Sequence, residues 1–117
     1  MRARLGSLLA NRGGRGYFVL MVTMQIYISG RVQGVGFRAF TRRQAERYPS
    51  LRGYVRNLSD GRVEVLVSGL AADLEALVRA CRQGPPHSRV DGVEERELTE
   101  ASPGWISHAE LPKFTVR

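Results

Sequence analysis

The order of apolar patterns in this chain predicts an α+β fold, with an antiparallel sheet carrying both of its helices on one face. Three observations carry that reading. Strand-like and helix-like segments follow one another as strand, helix, strand, strand, helix, strand. The second and third strands are joined across Ser59-Asp60-Gly61, a turn chemistry suited to a hairpin. A length of 117 residues suffices for one domain with its own core, and no internal repeat or second domain is visible. The arrangement is the split βαβ, or ferredoxin-like, sandwich of order βαββαβ.

Each element has its own justification. Met24–Gly30 alternates Met24, Ile26 and Ile28 with Gln25, Tyr27 and Ser29, the period of a strand. Phe37–Tyr48 places Phe37, Phe40, Gln44-Ala45 and Tyr48 near one helical stripe, and Pro49 stops it. Leu51–Leu58 and Arg62–Val67 form the hairpin; in the latter Val63, Val65 and Val67 alternate with Glu64, Leu66 and Ser68. Ala71–Arg82 is an amphipathic helix with Leu70, Leu74, Leu77, Val78 and Cys81 inward, ended by Gly84-Pro85-Pro86. Arg89–Leu98 is a charged strand anchored by Val90 and Val93. Ser102-Pro103-Gly104 marks a loop, and Phe114–Arg117 is a short edge strand. The two outer strands of this order are expected in the middle of the sheet, with Asn57 then close enough to face Arg38.

The chemistry concentrates in Gly30-Arg31-Val32-Gln33-Gly34-Val35-Gly36-Phe37-Arg38, between the first strand and the first helix. A glycine-rich turn leaves backbone amides free to converge on an anion, and a helix N-terminus adds the positive end of its dipole. Arg38 at the junction supplies a planar guanidinium suited to phosphate oxygens. The loop reads as a phosphate cradle with one arginine clamp. Gly34-Val35-Gly36-Phe37-Arg38-Ala39 also satisfies the dinucleotide pattern G-x-G-x-x-A. The next strand ends in Arg56-Asn57-Leu58, without an acid for a ribose, and leads into a hairpin instead of a parallel crossover. A nicotinamide or flavin site is therefore not expected. Asn57 read alone is a turn former beside Asp60-Gly61; read with the cradle, it is a neutral amide that can hold water without competing for phosphate charge.

Composition limits the alternatives. The apolar share of 43% and the charged share of 25% are those of an ordinary soluble globular protein. The net charge is +7, of which residues 1–23, with four arginines and no acid, contribute +4. The remainder is only mildly basic, which weakens any nucleic-acid argument. An RNA-binding sheet of this topology would carry stacking aromatics on two central strands; Tyr27 is present, but Arg62–Val67 has none. The single Cys81 excludes an internal disulfide framework and fits a reducing compartment, and is best explained as a small buried apolar residue. His87 and His108 show no metal-ligand spacing. No metal or cofactor is expected.

The N-terminal piece does not read as a signal peptide, because Asn11–Gly16 interrupts any apolar run, and Tyr17–Val22 is too short to span a membrane. Leu5–Ala10 reads as a weak helix and 11–16 as flexible. Residues 1–23 are read as a dispensable basic extension, with the domain at 24–117; the competing reading has Tyr17–Thr23 prolonging the first strand.

The loop from Gly30 to Arg38, taken with Gly53-Tyr54-Val55-Arg56-Asn57 and Asp60-Gly61-Arg62-Val63-Glu64, resembles the two signatures of the acylphosphatases, and the resemblance runs through 24–117. It implies a cytoplasmic hydrolase of small acyl phosphates, without nucleic-acid or membrane partners; a monomer is expected because the short domain shows no apolar surface pattern. It places the family's catalytic arginine on Arg38 and its catalytic asparagine on Asn57. Its phosphate-binding loop falls on Gln33, Gly34, Val35, Gly36, Phe37 and Arg38. Two departures stand out: Gly36 occupies a variable position and is expected to loosen the cradle, and Tyr54 stands where tryptophan is common. A non-catalytic phosphate-binding module of the same fold is the alternative.

Overall fold

The computed structural model describes residues 7–10 and 18–117, with side chains from Met21 onward. The chain runs β1 (Ser7–Ala10), β2 (Phe18–Arg31), α1 (Phe37–Ala45), β3 (Arg52–Asn57), β4 (Val63–Leu70), α2 (Ala71–Gln83), β5 (Arg89–Leu98), a short 3-10 turn at His108–Glu110, and β6 (Thr115–Val116). The main sheet is ordered β5-β2-β4-β3-β6. Its pairings are antiparallel except β3 with β6, which run parallel with Tyr54 beside Thr115 and Val55 beside Val116. The middle is held by β2 and β4, the first and third of the core strands. The expectation that the outer strands of the order sit there is corrected: the hairpin sets β3 against β4, while β4 reaches back to β2 from Ile28↔Val63 to Met21↔Leu70.

Burial explains the sheet. Ile26, Ile28, Val55, Val63, Val65 and Val67 are fully buried under the helices, with Leu74, Leu77 and Cys81 of α2 packed on them. On α1 the buried residues are Phe37, Thr41 and Ala45, a strict i, i+4, i+8 stripe. Phe40, Gln44 and Tyr48, expected on that stripe, are only half-buried. Thr41 is tolerated inside because its hydroxyl donates to the Phe37 carbonyl at 2.9 Å. Leu70, expected inward, is 38% exposed at the turn into α2.

The opposite face of the sheet has its own cover. Trp105, Ile106 and Leu111 pack on Tyr54, Leu66 and Leu98, so β4 is buried on both faces. Glu64, buried among the strands, is satisfied by Gln25 at 2.8 Å and by Arg56. Desolvation, and then the charge of Glu64, hold the Tyr27 hydroxyl above its usual pKa.

The first strand begins before Met24. Met21–Thr23 pair with β4, and Val22 is 1% exposed. β1 pairs with Phe18–Met21, so the segment expected as a weak helix contributes a strand at Ser7–Ala10. Met21 also faces Leu70 of β4, so β1 occupies the edge of β2 that β5 takes from Thr23 onward. The expected flexibility of 11–16 lies outside the described residues. Among the described residues, no helix is long and apolar enough to cross a membrane.

Candidate active site

The site forms where β2 gives way to α1. Gly34 and Gly36 take left-handed conformations, φ +75° and φ +80°, and a side chain at either would enter open space. Backbone shape alone therefore favours glycine here. Gly36 is the N-cap of α1 and accepts from the Phe40 amide at 3.0 Å. Glycine at this position fits the left-handed turn into the helix.

The amides of residues 33–38 donate to no described group, as the open end of a helix requires. Gln33 holds the loop in place: its side-chain amide donates to the Leu58 carbonyl at 2.7 Å and the Arg62 carbonyl at 2.9 Å. That pair of bonds ties the loop to the β3–β4 hairpin, just beyond Asn57. Arg38 stands at the first turn of α1, where Nη1 donates to the main-chain oxygen of Arg117 at 3.1 Å. Arg117 in turn lies over the Tyr54 ring at 4.0 Å, which supports this end of the sheet.

A cavity of about 390 Å³ opens at this junction, lined by Val32, Gly34, Gly36, Phe37, Arg38, Ala39, Arg42, Asn57 and Val116. The volume suits a small molecule. Arg38 and Asn57, 19 residues apart in sequence, share this wall. The Asn57 side chain hydrogen-bonds to no described residue and is left for a ligand or water. Two residues of the expected loop do not line the cavity. Gln33 is turned to the hairpin, and Val35 packs against the main core. Four lining residues stand outside the expected phosphate loop and Asn57: Val32, Ala39, Arg42 and Val116. Arg42 could have been found one helical turn after Arg38; Val116 could not, because its place depends on the parallel pairing of β6 with β3. The lining contains two arginines and no acid, histidine or cysteine, so it favours anions and offers no side-chain set for a metal.

The acylphosphatase family model matches residues 24–104. The chain belongs to the acylphosphatase family. An acylphosphatase of Rubrobacter xylanophilus is 55% identical over 63% of this chain and 66% of its own. One from Anaeromyxobacter dehalogenans is 53% identical over 82% of this chain and 95% of its own. The crystal structure of the Bacillus subtilis acylphosphatase superposes with a TM-score of 0.69 at 34% identity, over 82% of this chain and 98% of that one. The two helices packed on one mixed sheet are the family's ferredoxin-like fold. The chain is thus an enzyme, a hydrolase of the family that acts on small acyl phosphates.

Proposed function

We propose that this chain hydrolyses the carboxyl–phosphate anhydride without a metal, by direct attack of water on phosphorus. One observation carries the proposal: Arg38, Asn57 and an N-terminal helix turn with unpaired amides meet in one cavity. The amides and the Arg38 guanidinium hold the phosphoryl oxygens and stabilise the charge they carry in the transition state. Arg38 spends one donor on the main-chain oxygen of Arg117 and keeps others for phosphate. Asn57 fixes the attacking water through its side-chain carbonyl and amide.

The water oxygen bonds to phosphorus as the bond from phosphorus to the acyl oxygen breaks. The electron pair leaves with the carboxylate, and the water's proton passes to a phosphoryl oxygen of the substrate. The products are a carboxylate and inorganic phosphate. The cavity wall contains no nucleophile and no general base, so the reaction relies on an already activated substrate. The fold's exposure to small acyl phosphates as a monomer in the cytoplasm is part of the same proposal.

The test is turnover of benzoyl phosphate in excess chelator, beside a simple phosphate monoester. Undiminished hydrolysis of the first, with the second nearly untouched, is expected. Loss of activity on chelation contradicts the metal-free scheme.

A further inference from the structure

We propose that Arg42 makes this enzyme prefer acyl phosphates whose acyl group carries a second anionic group a few atoms from the anhydride. The proposal rests on the reaction assigned above and names the acyl side of its substrate. The phosphoryl group claims the loop glycines, Arg38 and Asn57. Val32 and Phe37 are buried in the core and close the floor. The lining left for the acyl group is Ala39, Arg42 and Val116. Ala39 and Val116 can cover a short carbon chain or ring. Arg42 is a second fixed charge in a cavity already served by one arginine.

Its position supports a separate role. Arg42 follows Arg38 by four residues on α1, so the two share a helix face about 6 Å apart along the axis. That spacing separates the two cations along the length of a bound substrate. Among the described residues Arg42 makes one ion pair, to Glu46, which is long at 3.9 Å, and both side chains are about half exposed, at 48% and 47%. Such a contact is weak and easily exchanged for a substrate anion. The planar guanidinium fork matches a carboxylate or a phosphate equally well. No acid lines the cavity to repel that group.

The probes are 3- and 4-carboxybenzoyl phosphate compared with 4-methylbenzoyl phosphate, at fixed ionic strength. Wild type should favour the better-placed carboxylated probe in kcat/KM. Arg42→Gln should lower that preference, read as the ratio of kcat/KM for the carboxylated probe to that for the methyl probe, by about fivefold, the scale of one solvent-accessible ion pair. Arg43→Gln removes the same charge from the same helix but lies outside the cavity lining, and should keep the preference. An unchanged preference in Arg42→Gln, or an equal loss in Arg43→Gln, overturns the proposal and reduces the effect to overall charge. If wild type turns over the methyl probe but shows no preference, the proposal also falls while the reaction stands. If wild type turns over neither probe, the assigned reaction is what fails.

Discussion

His108 is a residue on which the fold disfavours charge. It is partly buried under the sheet, where Nδ1 meets the Ser68 hydroxyl at 3.1 Å. Desolvation, and then the Arg52 guanidinium, lower its pKa below the ordinary 6.5. The unfolded chain therefore takes up this proton at a higher pH than the folded chain does. Stability from His108 is full above about pH 6.5 and is lost as the pH falls through its lowered value. Chemical denaturation from pH 7.5 to 5 should show a decline that His108→Gln makes shallower; equal slopes would remove His108 from the explanation. Burial also keeps Cys81 neutral, here by moving the pKa the other way: it pushes the thiol up to about 12, which agrees with its reading as an inert core residue. At this scale Arg38 could be picked out as the cation of a glycine-rich turn, whereas Asn57 alone reads as a turn former and gains meaning only beside that loop; both line the one cavity. The task of Gln33 was not, because its acceptors lie 25 and 29 residues away and are backbone carbonyls, which leave no mark on residue identity.

Among the elements, the contact that matters most is between the loop and the β3–β4 hairpin. Gln33→Leu keeps the volume but removes both hydrogen bonds. We expect a loss of about 1–2 kcal/mol in denaturant stability and a fall in kcat/KM of roughly tenfold, since small misplacements of positioned groups are costly. Normal turnover with lowered stability would show that Gln33 supports the fold but not the site. The hairpin and α2 were readable because Asp60-Gly61 and the Leu74, Leu77, Val78, Cys81 spacing are local signals. The cover formed by Trp105, Ile106 and Leu111 was not, because 99–113 has no period and its apolar residues gain meaning only against Tyr54, Leu66 and Leu98. The same tertiary override places Thr41 at the centre of the α1 stripe, ahead of Phe40.

Taken as a whole, the molecule sets its site at the far end of β2 from its N-terminal residues. Every cavity-lining residue lies between Val32 and Val116. We propose that residues 1–17 can be removed with turnover unchanged within about twofold. Removal of 1–23 also takes Val22 from the core and should cost about 2 kcal/mol, or roughly 10 °C in Tm, with the site's chemistry intact. Inactive protein after the shorter deletion would show that the N-terminal segment supports the site. The start of the first strand was hard to read because Tyr17–Thr23 lacks the alternation that marks Met24–Gly30. Strand order was misjudged for a different reason: long-range pairing is decided by which faces bury together, and that is only weakly written in any one segment.

The central claim divides the work between Arg38, which holds phosphate, and Asn57, which orients water. The measurement that tests it most directly is competitive inhibition by inorganic phosphate, alongside kcat, in wild type, Arg38→Ala and Asn57→Ala. Each variant should lose on the order of 10²–10³ in rate, the usual cost of one preorganised donor. Arg38→Ala should also lose phosphate inhibition, and Arg38→Lys should not restore it, because a point charge cannot reproduce the planar fork. Asn57→Ala should bind phosphate as wild type does. If Asn57→Ala loses phosphate binding as severely as Arg38→Ala, the division of roles is contradicted, and Asn57 is a support for the loop.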